Sequence, residues 1–271
     1  MLVDAYGRGI DYLRVSVTDR CNLRCVYCMP EEGVALRRHS ELLSYEQIAA
    51  VVRAGAGLGL RRVRLTGGEP LARRGIEDLV ALLRPIPGLR EITMTTNGVL
   101  LTPQMARKLR EAGLDRVNIS LDTLDPRRYA QLTRVGDIAA ALAGIEAAIG
   151  AGFERIKINM VVFEDTTPRE REEMDEFCRR RGLVLQTIRH FTLARREHES
   201  MHPPVCDRPL PCDRCDRLRL TADGFLKPCL HSDIEIPVDF SDIEAGFIAA
   251  VRAKPREGTS CSGRTMREIG G

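Results

Sequence analysis

Short apolar runs alternate with amphipathic segments from residue 10 to residue 190. The runs are four to eight residues long and rich in Val, Ile and Leu, which is typical of strands, and apolar residues recur at helical spacing between them. The predicted strands span residues 12–17, 62–65, 91–95, 116–120, 155–162 and 183–189. The predicted helices lie near residues 45–58, 76–83, 103–111, 138–151 and 169–181.

The helix boundaries carry their own signals. Several predicted helices begin after Ser, Thr or Pro, and Gly113, Gly152 and Gly182 follow three of them as stops. A repeated order of strand and helix indicates a parallel sheet with helices outside it. Six such units predict an α/β fold of the partial (β/α)6 TIM-type barrel class, in which functional groups lie at the carboxyl ends of the strands.

The pattern changes after residue 190. Residues 191–211 show no periodicity and are predicted to form a linker or loop. A predicted hairpin follows, with its turn at residues 222–224. We therefore predict a barrel domain of residues 1–190, and a second unit of residues 191–271 that contains the linker and a small carboxyl-terminal domain.

Composition excludes few classes of function, but it does indicate the cellular compartment. The 271 residues include 41 basic and 38 acidic side chains, and a net charge of +3 is too small to indicate nucleic-acid or membrane binding. Neither a secretory apolar segment nor an apolar run of about 18 residues occurs, so we predict a cytoplasmic protein. In a reducing compartment the nine cysteines favour ligand roles over disulfides.

Three cysteines lie within eight residues directly after the first predicted strand. Cys21, Cys25 and Cys28 can bind one inorganic centre from a single loop. Three thiolates leave one iron of a [4Fe–4S] cluster open to an outside ligand, whereas a structural zinc site would be closed by four ligands. A zinc knuckle is the alternative at this point.

A second set of three cysteines lies near the end of the chain. Cys212, Cys215 and Cys229 flank the predicted hairpin. Either an open cluster or a zinc site that recruits Cys206 or His231 fits this spacing.

Polar motifs follow the next three predicted strands. Thr66-Gly67-Gly68-Glu69-Pro70 combines two glycines, which let the backbone approach a ligand, with a carboxylate that can bind a cation. Residues 95–98 and 118–122 are also polar at the ends of apolar runs. Each motif alone is typical of a turn or a loop cap.

Together these motifs resemble the radical S-adenosylmethionine (SAM) superfamily. The resemblance implies that the first three cysteines bind a [4Fe–4S] cluster whose open iron chelates SAM. It implies that Gly68 and Glu69 bind the amino group of SAM and that Tyr27, Thr96 and Ser120 also contact SAM. It also implies an enzyme that reductively cleaves SAM to a 5′-deoxyadenosyl radical.

The second cysteine motif narrows the resemblance. Its sequence from Cys215 to Leu230, the stretch of residues 12–22 and the tail Ile269-Gly270-Gly271 are similar to the MoaA family, the GTP 3′,8-cyclases of molybdenum cofactor biosynthesis. This likeness implies a small carboxyl-terminal iron–sulfur domain, in which Cys212, Cys215 and Cys229 bind a second [4Fe–4S] cluster that holds the guanine of GTP.

The same likeness implies a substrate pocket and partners. The matching basic residues are Arg14, Arg62, Arg64, Lys157, Arg217 and Arg219. In this family the tail glycines, here Gly270 and Gly271, reach into the active site for catalysis, and GTP becomes (8S)-3′,8-cyclo-7,8-dihydroguanosine 5′-triphosphate. A flavodoxin- or ferredoxin-like electron donor and a possible homodimer are further implications.

The chain departs from the family pattern in three places. About twenty residues separate the sixth strand from the second cysteine motif, fewer than in the family, and Gln186 replaces an arginine. Cys206 could close the second cluster; Cys178 is expected in the core, and Cys261 has no assigned role. The alternatives are a shortened paralogue acting on another nucleotide or a peptide, and a non-catalytic iron–sulfur or zinc protein.

Overall fold

The computed structural model describes residues 1–193, 206 and 211–270. Its strands are β1 Leu2–Val3, β2 Gly9–Ile10, β3 Tyr12–Ser16, β4 Arg62–Thr66, β5 Glu91–Thr96, β6 Arg116–Ser120, β7 Lys157–Val162, β8 Val184–Arg189, β9 Arg217–Leu220, β10 Phe225–Lys227 and β11 Ile236–Pro237. Its helices are α1 Tyr45–Gly57, α2 Ile76–Leu83, α3 Pro103–Glu111, α4 Pro126–Thr133, α5 Ile138–Gly150, α6 Pro168–Arg180, α7 Ile243–Arg252 and α8 Met266–Ile269.

The six predicted strands lie side by side in chain order, from β3 to β8, and all are parallel. With helices between them, they form the predicted partial barrel, so the fold class is confirmed. The full sheet has nine strands in the order β11-β10-β9-β3-β4-β5-β6-β7-β8. Strand β9 runs parallel to β3, so the hairpin β9–β10 continues the barrel sheet beyond β3.

Local sequence explains where the helices begin. Ser44 accepts a hydrogen bond from the backbone of Gln47, whose side chain accepts one from the backbone of Ser44, and Thr167 makes the same reciprocal pair at the start of α6. The five predicted helices are all present, with ends within two residues of the prediction. In the described part of the chain no helix has the length and apolar character needed to cross a membrane.

Three helices, α4, α7 and α8, were not predicted. Helix α4 does carry a start signal, since the side chain of Asp125 accepts hydrogen bonds from the backbone of Arg127 and Arg128, and Pro126 occupies the first turn. Its residues are mostly polar, however, and it buries two of them, Tyr129 and Thr133. A helix with so narrow a buried stripe has little periodic signal.

The two faces of the barrel strands differ in polarity. Leu13, Val63 and Ile92 are fully buried and belong to the apolar core that the helices cover. The alternate positions, such as Arg14 and Arg64, point to the opposite face, because successive side chains of a strand point to opposite sides. The inside of the barrel is therefore polar although its strands are buried.

The packing of α5 on the third loop yields a stability prediction. A Cβ atom on Gly144 of α5 would lie 2.0 Å from the backbone oxygen of Gly98, whereas Gly150 of the same helix has no atom within 4 Å of that position. We expect Gly144→Ala to lower the free energy of unfolding by about 1–3 kcal/mol or more through overpacking. Gly150→Ala is the matched control and should be neutral or stabilising by up to about 1 kcal/mol. Chemical denaturation measures both, and equal effects would contradict the packing.

Candidate active site

The loop of Cys21, Cys25 and Cys28 follows β3 and is held by helix α4. Cys28 and Met29 both donate backbone hydrogen bonds to the carbonyl of Cys25, at 3.0 and 3.2 Å, which makes a tight turn. The backbone of Val26 donates to Leu132 of α4 at 2.9 Å. The unpredicted helix therefore supports the cysteine loop.

Arg134, just after α4, clamps the same loop. Its Nη1 atom donates to the carbonyls of Arg24 and Met29 at 2.9 and 3.0 Å. Its φ is +62°, a left-handed backbone angle that is uncommon for a residue other than glycine. The sequence gives no signal for this role, because the contacted carbonyls lie more than one hundred residues earlier.

The two glycines after β4 pack against the segment that leads into Cys21. The backbone of Gly68 donates to Thr18 at 2.8 Å, and that of Glu69 donates to Arg20 at 2.8 Å. A Cβ atom on Gly68 would lie 2.2 Å from the carbonyl oxygen of Arg20, and Gly67 has a φ of +130°. The close approach of the two backbones thus requires glycine at positions 67 and 68. This reason is separate from the approach to a ligand that the motif predicts.

Glu69 is buried at the carboxyl end of the sheet. Its carboxylate accepts hydrogen bonds from the hydroxyl of Thr96 at 2.8 Å and from the backbone of Asn97 and Leu71 at 2.7 and 2.9 Å. Burial raises the pKa of Glu69 to about 7, against the lowering effect of these hydrogen bonds. The carboxylate is therefore oriented, desolvated and suited to bind a cation, and Thr96 orients it.

Asn97 connects the third strand's loop with the cysteine loop. Its Nδ2 atom donates to Oδ1 of Asn22 at 2.8 Å and lies 3.9 Å from Sγ of Cys21. The motifs that follow β3, β4 and β5 therefore meet in one place.

Tyr27 lies in an aromatic group on the other side of the cysteine loop. Its hydroxyl donates to Asp122 at 2.8 Å, and the same carboxylate accepts from the backbone of Val161 at 2.8 Å. The ring centroid of Tyr27 lies 5.6 Å from that of Phe163 and 6.4 Å from that of His190. The sequence gives no signal for the ring partners Phe163 and His190, although each directly follows a strand.

Arginines line one row across the polar face of the sheet. Arg219 of β9 is in register with Arg14 of β3, which is in register with Arg64 of β4. Arg14 and Arg219 are 8% and 5% exposed. Burial and the neighbouring positive charges lower the pKa of Arg14 and Arg64, and lower that of Arg219 to about 10.

The partners of Arg64 are neutral. Its Nε atom donates to the hydroxyl of Thr93 at 3.2 Å, and both Nη atoms donate at 3.1 Å to the side-chain oxygen of Asn118, in the amide orientation that satisfies both groups. Arg62 differs, because it forms ion pairs with Asp11 and Asp216. These contacts therefore do not neutralise the positive charge of Arg64, whereas the two carboxylates neutralise that of Arg62.

The other predicted polar residues complete this face. Ser120 at the end of β6 is in register with Asn159, and Asn159 with Gln186. Lys157 donates to the side chain of Gln186 at 3.3 Å. Arg217 lies on β9, on the other side of β3, with Nε 3.4 Å from its neighbour Asp216. The substitution Gln186 thus removes a charge but keeps a polar contact for Lys157.

The carboxyl-terminal tail enters the barrel mouth. Arg219 donates a hydrogen bond to the carbonyl of Gly270. A Cβ atom on Gly270 would lie 2.4 Å from Cγ2 of Thr66 and 3.2 Å from the backbone nitrogen of Gly67. The tail therefore touches the start of the Gly-Gly-Glu-Pro motif; Gly271 lies outside the described residues.

The first cysteine set fits a cluster with three protein ligands. Burial raises the pKa of Cys21 and Cys25, and that of Cys28 to about 12, and the nearby thiols reinforce the shift at Cys25 and Cys28. Raised pKa values mean that the thiolate forms are costly in this site. Binding to iron offsets that cost, because a bound metal stabilises the thiolate. The backbone of Leu23 also donates to Sγ of Cys21 at 3.4 Å.

The second cysteine set has a cationic side chain and a closely packed glycine beside its sulfur atoms. Lys254 donates to Sγ of Cys215 at 3.3 Å, and a Cβ atom on Gly258 would lie 2.6 Å from Sγ of Cys229. Arg8 donates to the carbonyl of Cys212 at 2.8 Å and so holds the turn that begins at this cysteine. A cationic donor and a glycine beside the sulfur atoms fit a bulky, thiolate-bound cluster.

Within residues 1–193, 206 and 211–270, no three His, Cys, Asp or Glu side chains lie close enough together to hold one metal ion. Closure of the second cluster by Cys206 stays an untested alternative. Cys178 is buried in the core, as expected, and Cys261 is buried as well.

Comparison with known sequences places the chain in a family. The sequence model of the Radical SAM superfamily matches residues 15–178. The GTP 3′,8-cyclase of Petrotoga mobilis (strain DSM 10674 / SJ95) is 42% identical, over 87% of this chain and 85% of the relative. The GTP 3′,8-cyclase of Peptoclostridium acidaminophilum is 39% identical over 100% of this chain and 98% of the relative. That alignment has 327 positions, so more than fifty of them have no residue in this 271-residue chain.

Solved structures share the fold. SuiB of Streptococcus suis bound to S-adenosylmethionine superposes with a TM-score of 0.68 at 14% identity, over 90% of this chain and 66% of that chain. The protein anSMEcpe with bound AdoMet gives 0.65 at 15% identity, over 90% and 81%. The family matches confirm the predicted cofactors, [4Fe–4S] clusters and SAM. The chain therefore belongs to the radical SAM superfamily and, within it, to the family of GTP 3′,8-cyclases.

Proposed function

We propose that this chain converts GTP to (8S)-3′,8-cyclo-7,8-dihydroguanosine 5′-triphosphate, the reaction implied by its family. The observation that carries the proposal is the position of Arg219. This residue lies in the arginine row, contacts the tail at Gly270, and interacts electrostatically with Cys215 and Cys229. One guanidinium thus joins the phosphate-binding face, the tail and the second cysteine set.

The arginine row explains a triphosphate substrate. Arg219 and Arg14 are buried, Arg64 lies partly buried beside Arg14, and the charges of Arg219 and Arg64 both destabilise the charge of Arg14. A polyanion relieves this repulsion, and planar guanidinium groups bind phosphate oxygens in pairs. Lys157 and Arg217 supply further positive charge at the two ends of the same face.

The residues around the first cluster would position SAM. Cys21, Cys25 and Cys28 would bind the cluster, which when reduced supplies the electron that cleaves SAM to methionine and a 5′-deoxyadenosyl radical. Glu69 would bind the amino group of SAM. Gly68 contributes to the same site; Tyr27, Thr96 and Ser120 belong to the SAM-binding surface.

The second cluster would hold the guanine through an iron that Cys212, Cys215 and Cys229 leave open. Gly270 and Gly271 would close the site over the nucleotide. We infer a flavodoxin- or ferredoxin-like protein as the electron donor and a homodimer as the assembly. Cysteine ligands and reduced clusters suit the cytoplasm, where we infer that the enzyme works.

Mass spectrometry of an anaerobic reaction tests the proposed function. The reconstituted protein is incubated with dithionite, SAM and GTP, and we expect both 5′-deoxyadenosine and the cyclised nucleotide. Abundant 5′-deoxyadenosine without a nucleotide product, across a range of GTP concentrations, would instead indicate a shortened paralogue that acts on another nucleotide or on a peptide. Absence of both products with fully loaded clusters would favour a non-catalytic iron–sulfur protein.

The raised pKa of Glu69 predicts a pH dependence for SAM binding. The carboxylate that accepts a hydrogen bond from the amino group of SAM is ionised above a pKa of about 7 and protonated below it. We therefore expect SAM to bind about tenfold more weakly at about pH 6 than at about pH 8. Equilibrium binding measures this, and Glu69→Gln should bind SAM weakly with no such dependence. The same pH slope in Glu69→Gln would rule out this residue as its source.

Arginine substitutions should separate GTP binding from SAM binding. Arg64→Met or Arg219→Met removes charged hydrogen bonds to phosphate, each about 1.5–3 kcal/mol, so GTP affinity should fall about ten- to a hundredfold. SAM affinity should change little in Arg64→Met. The control is Arg252→Met, which removes an exposed charge on α7. Unchanged GTP affinity in both arginine variants would contradict the assignment of this pocket.

A further inference from the structure

Lys254 lies just beyond helix α7, and its side chain is 3% exposed. Its Nζ atom lies 3.3 Å from Sγ of Cys215 and donates to the carbonyls of Arg217 and Pro228, each at 2.7 Å. An ammonium group has three hydrogens to donate, and these three acceptors account for all of them.

The three acceptors belong to both arms of the second cysteine set. Arg217 begins β9, two residues after Cys215, and Pro228 directly precedes Cys229. A single ammonium group therefore fixes the separation of the two backbone segments that carry these cysteines.

The charge of Lys254 needs an anion, because a buried ammonium without one is costly. Among the described residues no carboxylate lies within ion-pair distance of it, whereas the buried Lys227 pairs with Glu235 at 3.1 Å. In the described part of the chain, the anionic group in contact with Lys254 is the thiolate of Cys215.

We propose that Lys254 is a positioning residue of the second [4Fe–4S] cluster, which donates a charged hydrogen bond to the Cys215 thiolate and holds the two cysteine-bearing segments together. Hydrogen bonds and positive charge at the sulfur atoms stabilise the reduced, more negative cluster, so Lys254 raises the reduction potential. The inference rests on the second cluster and is independent of which nucleotide the enzyme binds.

The test isolates the second cluster in the full-length chain. Cys21, Cys25 and Cys28 are all replaced by Ala, so that the second cluster alone gives a paramagnetic resonance signal, and its midpoint potential is measured by anaerobic redox titration. Lys254→Met should make electron uptake about tenfold less favourable, which corresponds to about 59 mV for a one-electron couple. Lys254→Arg should restore much of the wild-type potential.

Two further variants separate electrostatics from folding. Arg252→Met removes an exposed positive charge from the last residue of α7, two residues before Lys254, and the potential should stay at the wild-type value. Lys254→Gln keeps hydrogen-bond donors for the carbonyls but loses the charge, so its reduction potential should also fall. This variant replaces Lys254→Met in the titration if the Met variant does not fold. A wild-type potential in Lys254→Gln, or a shift in Arg252→Met as large as that in the Lys254 variants, would overturn the proposal.

Discussion

The alternation of side chains along the barrel strands is the constraint on which the rest of the structure depends. One face of each strand must be apolar, because the helices cover it and bury residues such as Val63 and Ile92. The other face points into the barrel and carries Arg219, Arg14 and Arg64 in one register row. Keeping arginines close together costs stability: burial lowers the pKa of all three, and the charges of Arg219 and Arg64 lower that of Arg14 further. An anionic substrate, as proposed for this row, would offset that cost.

Close contacts between loops then join the separate motifs into one site. Gly68 packs against the backbone that leads to Cys21, and Gly270 of the tail packs against Thr66 and Gly67. Each contact leaves no room for a Cβ atom. The loops after the first two barrel strands and the tail are consequently held in close contact with one another. Chemistry that requires two clusters and two small molecules in one barrel mouth depends on such fixed distances.

Much of this arrangement could be predicted from the sequence, since strand and helix periodicity, caps and cysteine spacing are local signals. The missing parts depend on partners far along the chain. The place of β9 beside β3, the support of the cysteine loop by Arg134 and the contact of Lys254 with Cys215 each join segments that no local pattern connects. The ion pairs of Arg62 show the same limit, because spacing alone cannot distinguish a paired arginine from one that faces a substrate.

Isotope transfer tests the central claim that the radical formed at the first cluster acts on a nucleotide held by the arginine row. The measurement is mass spectrometry of 5′-deoxyadenosine from a reaction with GTP deuterated at the ribose 3′ carbon. The account predicts one deuterium atom in 5′-deoxyadenosine, formed together with the cyclised nucleotide. Formation of 5′-deoxyadenosine without deuterium, at GTP concentrations that saturate the protein, would contradict it.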